Sequence, residues 1–354
     1  MGQKSEKNNI ILSICIPTYN RASLLKEALD SIFAQVNELN RDKVEIVVAD
    51  NSSNRETAAL VEKIRGRAPV TINYHKNENN IGFDRNLLKV VELARGKYCW
   101  PLGDDDLLAE GALAAVCKEL ERSQEIDIFL GEKEDFYLTP DRPMRRRRIM
   151  DLQEARVFDF HQPQELDNYF CSNQKLIAFL NYISIVVFSR KRWLGVKQKE
   201  NFVGTGYIHV YVLQMLLWGP ERGMLKYLPF ALTRRRWGTD PDYNLEEKLR
   251  MDFQMFHQIA AAVFAERKYI WLIDDRVIRN DGFSWAVRVK INEPVRFLTV
   301  HLPFLIKRYW DHPLFWVKIF PLILAPGFVL RLLRGTYRRL VKGESFGMRE
   351  FFEG

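Results

Sequence analysis

Residues 98–108 read Tyr-Cys-Trp-Pro-Leu-Gly-Asp-Asp-Asp-Leu-Leu, an apolar run closed by three consecutive carboxylates, Asp104, Asp105 and Asp106. Adjacent anions repel, so a chain has little structural reason to gather three at the end of a strand. A hard divalent cation, Mg²⁺ or Mn²⁺, relieves the conflict: it takes carboxylate oxygens and keeps waters and substrate phosphates as its other ligands. The pattern points to metal-assisted chemistry on a phosphorylated substrate. The plain structural alternative is a solvated acidic turn capping a helix that starts near Glu110.

Such carboxylates need elements to hold them. Ile10–Pro17 is continuously apolar, as in a strand buried on both faces. Asn20 is placed to cap a helix whose apolar residues Leu25, Ala28, Leu29, Ile32, Phe33 and Val36 recur at helical spacing. Val44–Ala49, Val70–His75 and Lys97–Leu102 read as further strands, with helices over Thr57–Arg65 and Arg85–Ala94 between them. Repeated βα units predict an α/β fold, Rossmann-like, with a mostly parallel sheet and helices on both faces. Ligands of such sheets sit beyond the carboxyl ends of the strands. Three polar clusters fall there: Pro17–Arg21, Asp50–Asn54 and Asp104–Asp106. Further along, Ile126–Gly131 and Tyr182–Phe188 read as strands and Arg145–Arg148 as an exposed loop. Gly204–Trp218 opens with glycines and continues as an apolar helix. Leu245–Glu266 is a long helix with Leu249, Phe253, Phe256, Ile259, Ala260 and Val263 on one face.

The chain has 354 residues, 47% of them hydrophobic, enough for a sizeable core. A net charge of +8 suits a phosphorylated substrate, an anionic membrane surface or nucleic acid. The excess is concentrated at the end, with nine Lys/Arg against four Asp/Glu between His301 and Gly354. Cys15, Cys99, Cys117 and Cys171 lie far apart without C-x-x-C spacing and read as free thiols in a reducing compartment. The opening Met-Gly-Gln-Lys-Ser-Glu is polar, unlike a signal peptide, and Glu6 stands where a myristoylation signal needs Ser or Thr. A cytoplasmic protein is expected.

Phe297–Leu340 interleaves Phe, Trp, Leu and Ile with Lys and Arg and is broken by Pro303, Pro313, Pro321 and Pro326. Its most apolar part, Leu314–Leu333, contains Lys318 and two of those prolines, short of the about 20 apolar residues of a spanning helix. Aromatic and basic flanks fit helices lying in a membrane interface, or a re-entrant element. The expected organisation is an α/β domain over residues 1–240 (with halves at 10–120 and 121–240), a helical extension over 241–296, and an amphipathic membrane-associating region over 297–354.

Four segments carry a family resemblance: Ile-Pro-Thr-Tyr-Asn-Arg (16–21), Val-Ala-Asp-Asn-Ser-Ser (48–53), Asn-Ile-Gly-Phe-Asp-Arg-Asn (80–86) and Leu-Gly-Asp-Asp-Asp (102–106). In order and spacing the chain resembles family 2 glycosyltransferases with the GT-A fold, most of all the abequosyltransferase-like group of bacterial surface-polysaccharide enzymes. The resemblance fades beyond Arg122. It implies an inverting, metal-dependent transfer of one sugar from a nucleotide-sugar donor, UDP- or CDP-linked being favoured. The implied acceptor is a lipid-linked (polyprenyl-diphosphate) glycan at the cytoplasmic face of a bacterial inner membrane, the enzyme being peripheral or monotopic. By the same resemblance, Pro17, Thr18 and Tyr19 would wrap the base and Asp50 would accept a hydrogen bond from it. Arg21 and Arg85 would lie near the nucleotide or its phosphates. Gly82 would supply a tight turn, and Asn86 a helix cap. One Asp of the triplet would contact the ribose, and another would bind the Mg²⁺ or Mn²⁺ that bridges the phosphates. Gly103 stands where many relatives place the first Asp of Asp-x-Asp-Asp, so Asp104 with Asp106 and Asp105 with Asp106 are both open.

Inversion requires a base for the acceptor hydroxyl. Relatives place a Glu-Asp pair at the start of a helix, where this chain reads Gly-Thr-Gly-Tyr-Ile-His-Val (204–210). His209, with its near-neutral reference pKa, is the candidate base or site ligand there; a packed histidine on an apolar helix is the alternative. Asp135 and Asp159 are in reserve. Arg234-Arg235-Arg236-Trp237 compares with the Gln-x-x-Arg-Trp motif of processive synthases, but Thr233 replaces Gln and no array of membrane helices follows. Arg236 and Trp237 are then candidates to close over the diphosphate or stack on an acceptor sugar.

Two other classes compete. A sugar nucleotidyltransferase opens with a glycine-rich phosphate loop, and residues 10–30 contain no glycine. A non-catalytic basic protein binding membrane or nucleic acid is allowed by charge alone. The intact Asp50 and acidic triplet argue against it, and nucleic acid is not an expected partner.

Overall fold

The structure, a computed structural model, describes residues 10–144, 148–173, 175–238, 250–279 and 283–337. Two compact units emerge: Met1–Asp242 with Ala262–Phe264, and Tyr243–Ala261 with Ala265–Gly354.

In the first unit, β1 (Leu12–Thr18), β2 (Val44–Asp50), β3 (Thr71–Lys76) and β4 (Tyr98–Pro101) form a parallel sheet in the order β3-β2-β1-β4. Helices α1 (Ala22–Phe33), α2 (Glu56–Arg65) and α3 (Phe83–Leu93) follow the first three strands. Every residue of β2 is buried, including Glu45. A buried charge persists only when paired, and Ser13 Oγ (2.7 Å) and Arg95 Nε (2.8 Å) donate to the Glu45 carboxylate. Helix α1 buries Leu25, Ala28, Leu29 and Ile32 as their spacing requires, but ends at Phe33, short of Val36. Asn20 is not its cap. It takes φ +52° and bonds across to Ser52 and Ser53, which ties the ends of β1 and β2 together.

Beyond β4 the sheet changes character. It continues as β8 (Val186–Ser189), β6 (Ile128–Tyr137), β9 (Met224–Trp237) and β5 (Leu107–Leu108), with β7 (Arg156–Asp159) also on β9. β8 is antiparallel to β4 and β6, β6 is parallel to β9, and β5 and β7 are antiparallel to β9. The sheet as a whole is therefore mixed: its first half is wholly parallel, as expected, and its second half joins the parallel pair β6–β9 to antiparallel neighbours. The β6–β9 register slips around Glu132. Gly131 is required there, because a Cβ would meet Leu232 at 2.2 Å. The buried Glu132 carboxylate accepts from Tyr227 Oη (2.5 Å) and Ile149 N (2.9 Å).

Several boundaries move. Helix α4 (Ala112–Arg122) begins just after Gly111 at φ +74°, two residues beyond Glu110. The segment read as a strand from Tyr182 first makes a short 3-10 turn, Ile183–Ile185. After α5 (Pro163–Ser172) and α6 (Arg190–Gly195), helix α7 (Ile208–Trp218) starts beyond a turn holding Gly204 at φ +84° and Gly206 at φ +75°. Of the four-arginine run, residues 145–147 lie outside the described residues, and Arg148 is half-buried rather than exposed. Cys15, Cys99 and Cys117 are free and buried, and Cys171 is free and exposed.

The second unit is helical. Within the long helix expected over 245–266, residues 245–249 lie outside the described residues. Arg250–Met255 is wound as a π-helix and Phe256–Val263 as an α-helix. Phe253, Phe256, Ile259 and Ala260 are buried as the spacing implied. Ile273, Val277, Phe297, Leu305, Tyr309, Phe315 and Ile319 on helices over 267–319 are buried too, with Tyr309 between the rings of Phe253 and Phe315. The apolar stretch beyond Pro313 is cut where Ala325 is extended before Pro326, the conformation a following proline favours. Among the described residues no helix is long and apolar enough to cross a membrane.

Candidate active site

The site forms where β1 and β4 end. Thr18, the last residue of β1, donates through Oγ1 to Asp104 Oδ2 at 2.8 Å. Arg21 places Nη1 3.4 Å from Asp104 Oδ1 and 3.6 Å from Asp105 Oδ2. Between them Tyr19 is exposed, and Pro17 is half-buried. The 17–21 loop therefore touches the end of β2 through Asn20 and the acidic triplet through Thr18 and Arg21.

The three carboxylates diverge. Asp104 faces Thr18 and Arg21, whereas Asp106 accepts from Tyr182 Oη (2.5 Å), Ser184 Oγ (2.7 Å) and Arg236 N (3.3 Å). Burial pushes both up to about 6, and the neighbouring Asp105 charge adds to the shift in each. Asp105 is the most accessible of the three, with 24% of its side chain exposed. A Cβ on Gly103 would come within 2.9 Å of Asp106 Oδ2 and 3.1 Å of Asp105 Oδ1. The glycine thus leaves a cradle between two carboxylates that an Asp at this position would fill. Among the described residues no three His, Cys, Asp or Glu side chains are arranged to hold an ion by themselves. The donor chemistry fits a hard cation gripped by one or two carboxylates and completed by phosphate oxygens and water.

The arginine run lies on β9, and strand parity sorts it. Arg234 and Arg236 both cover the ring of Phe136, at 5.3 and 4.9 Å. Arg235 turns to the opposite face, 4.9 Å from the Tyr182 ring and 4.1 Å from that of Trp237. Arg236 is consumed by the protein: Nε donates to Asp105 O (3.0 Å), Nη2 pairs with Glu27 (2.6 Å) and Nη1 donates to Leu138 O. Its side chain is 3% exposed, so it props the triplet and does not face a ligand. Arg235 is the guanidinium that meets the site. Among the described residues it has ring contacts and an attraction to Asp106, but no hydrogen-bonding partner. Sequence reading passed over it because it treated 236–237 as a pair, whereas alternation along a strand joins 235 with 237. Tyr182 and Ser184 were missed with it, their segment having been read only as a strand.

Other expected residues make contacts within the protein. Asp50 is wholly buried: its carboxylate accepts from Tyr74 Oη (2.7 Å) and Ser52 N (2.7 Å) and lies 3.5 Å from Lys76 Nζ. It anchors the loop after β2 and is not presented as an open acceptor. Arg85 makes a surface pair with Glu200 at 3.4 Å, both side chains more than half exposed. Asn86 caps nothing; it is buried, donating to Ala49 O (2.9 Å) and accepting from Asn77 (2.8 Å). Gly82 does make the tight turn, at φ +79°. Asp159 pairs with the exposed His161 at 2.6 Å.

His209 is buried between the rings of Phe83 and Tyr207, with Nε2 3.3 Å from Asn181 O. Burial pushes it down to about 4, which leaves a weak base sealed from solvent. The packed-histidine reading is the one the structure supports. The turn that opens α7 does receive a carboxylate, but from elsewhere: Asp84 of α3 accepts from Gly204 N (2.7 Å) and Gly206 N (2.9 Å). The exposed amides of a glycine-rich helix start were the only sequence signal for it. Asp135 lies opposite Arg235 in the β6–β9 ladder and pairs with Lys133. Lys133 is held below its ordinary pKa by burial, while Asp135 and Asp106 attract its charge.

Residues 13–176 match the family model described as glycosyl transferase family 2. The chain is 30% identical over 256 residues to abequosyltransferase RfbV of Salmonella typhimurium, covering 71% of this chain and 74% of that protein. It is 33% identical over 109 residues to the GalNAc(5)-diNAcBac-PP-undecaprenol beta-1,3-glucosyltransferase of Campylobacter jejuni, covering 30% of this chain and 34% of that one. The fold is similar to that of S. aureus TarS 1-349 in complex with UDP-GlcNAc, with TM-score 0.63 and 15% identity over 92% of each chain.

Proposed function

The chain belongs to glycosyl transferase family 2, and from that premise we propose that it transfers one sugar, with inversion, from a nucleotide-sugar donor to a lipid-linked glycan. The observation that carries this reading is the meeting of Thr18, Arg21, the acidic triplet, Arg235 and Trp237 at one edge of the sheet. UDP- or CDP-linked donors remain favoured, and the UDP-GlcNAc bound by TarS supports the former. The polyprenyl acceptor named for the Campylobacter relative supports the acceptor class.

In this reading the acceptor hydroxyl oxygen bonds to the anomeric carbon as the bond to the diphosphate oxygen breaks. The electron pair leaves with the nucleoside diphosphate, and the hydroxyl proton passes to Asp135. That residue takes the base role assigned earlier to His209, because it lies beside Arg235 and Lys133 rather than in the core. Tyr19 stacks on the base, Thr18 and Arg21 orient Asp104 toward the ribose, and Arg235 faces phosphate charge. Asp105 and Asp106 would hold Mg²⁺ or Mn²⁺, which when bound neutralises charge on the leaving diphosphate. Trp237, 41% exposed, offers its face to the acceptor sugar. The basic excess near the end of the chain and the exposed Trp316, Val317, Leu324 and Phe328 support peripheral attachment to an anionic membrane at the bacterial cytoplasmic face.

Thermal stabilisation against UDP, CDP, GDP and dTDP, each with and without Mn²⁺, tests the donor reading. A ligand at 100 times its Kd adds about 2.7 kcal/mol. A shift for one nucleotide that needs the metal is expected; no shift with any nucleotide would overturn the donor assignment.

A further inference from the structure

Tyr182 touches two of the charged groups that meet at the site. It stands in extended backbone, φ −116°, just before the turn Ile183–Ile185, and it is half-buried. Its Oη donates to Asp106 Oδ2 at 2.5 Å, and the centre of the same ring lies 4.9 Å from the Arg235 guanidinium. Ser184 Oγ donates to that oxygen as well, at 2.7 Å, and Arg236 N reaches Oδ1 at 3.3 Å. An ionised carboxylate offers about four lone-pair sites. Donors on both oxygens fix the plane of the Asp106 carboxylate and still leave it acceptor capacity.

The two hydroxyls differ in what else they hold. Ser184 is pinned to the end of β4: Trp100 Nε1 donates to its carbonyl (2.8 Å) and Gly103 N to its Oγ (3.0 Å). It belongs to the scaffold. Tyr182 instead links Asp106 to Arg235. That guanidinium has no hydrogen-bonding partner among the described residues and lies against the rings of Tyr182 and Trp237, so the rings decide where its N–H groups stand.

We propose that Tyr182 is a positioning residue with two separable tasks: its hydroxyl aims Asp106 at the cation, and its ring holds Arg235 for the diphosphate. The assignment rests on the transferase reading above, in which Asp106 takes part in holding Mg²⁺ or Mn²⁺ and Arg235 faces phosphate. Partners that orient a ligating carboxylate tune metal affinity without touching the metal. A tyrosine kept for packing alone would change the melting temperature and leave the two affinities untouched.

Two variants of the full chain separate the tasks. Tyr182→Phe deletes the hydroxyl and keeps the ring, whereas Tyr182→Leu deletes both. Mn²⁺ affinity is read by electron paramagnetic resonance with UDP present and, in a parallel series, with CDP. Nucleotide affinity is read by calorimetry at saturating Mn²⁺. Tyr182→Phe should weaken Mn²⁺ binding about tenfold or more and leave nucleotide affinity within about twofold. Tyr182→Leu should weaken Mn²⁺ equally and the nucleotide by about threefold or more; Tyr182→Met replaces it if the leucine variant does not fold. Wild-type binding of Mn²⁺ with undiminished affinity in Tyr182→Phe would overturn the hydroxyl's task and leave the transferase reading standing. Equal nucleotide affinity in the phenylalanine and ring-deleted variants would overturn the ring's task. If the wild-type chain binds no Mn²⁺ with either nucleotide, the metal reading of Asp106 falls and the role of Tyr182 falls with it.

Discussion

The two halves of the large sheet build the same site by different rules. In the parallel half, β1 and β4 end at one edge, so the polar residue that follows an apolar run arrives at the site by position alone. Thr18 and Asp104 meet at 2.8 Å in this way, 86 residues apart in sequence. In the mixed half, β9 also ends at the site, in Arg235-Arg236-Trp237, but there the face of the strand decides which residues meet it. Arg235 lies against the rings of Tyr182 and Trp237, while Arg234 and Arg236 lie over Phe136 on the other side. A functional residue is thus found by strand end alone in one half and by strand end with parity in the other.

The strongest test of the first rule is Asp106→Ala. It should lower transfer by about 10³-fold or more while the circular dichroism spectrum stays native; near-normal turnover would break the strand-end rule at its centre. On the mixed side, Asp135→Asn should cost about 10²-fold or more in kcat, measured at saturating donor and acceptor. His209→Gln should cost far less, and the reverse order would return the base to α7. Parity itself is tested by a pair of variants. Arg235→Ala should reduce kcat/KM about 10²-fold with little change in Tm. Arg236→Ala should instead destabilise by about 1–3 kcal/mol, because it leaves the carbonyls of Asp105 and Leu138 without their donor. Equal effects on Tm would mean that the two faces are not distinct.

A smaller effect should appear in the pH dependence of cation binding. Asp104 and Asp106 stand at about 6 in the folded chain, above the about 3.9 of an unfolded Asp. The folded state therefore holds extra protons between those values, and the stability these two groups contribute is lost as pH rises through about 6. A cation held by Asp106 competes with the proton on that carboxylate, so the rise in Tm on adding Mn²⁺ should grow from pH 5 to pH 7. A rise independent of pH would detach the metal from Asp106. Smallest of all, Arg85→Ala should change neither kcat/KM nor stability beyond about 0.5 kcal/mol, since its pair with Glu200 is exposed.

Strands β1 to β4 and helices α1 to α3 were legible to within three residues, because continuous apolar runs and helical spacing are local signals. The acidic triplet was legible for the same reason: it closes an apolar run. Pairing was not. That Arg236 would be spent on Glu27, that Asp50 would lie beneath Tyr74 and Lys76, and that Asp84 would reach the glycine amides before α7 depend on contacts between residues far apart in sequence. The same holds for His209, whose residue type suits a base and whose surroundings remove the proton affinity a base needs. By itself, then, the sequence determined which residues end strands and which chemical groups are available there. The tertiary structure decided which of those groups face a ligand and which are spent on one another, because burial and hydrogen-bond partners are set by segments that meet only when the sheet closes.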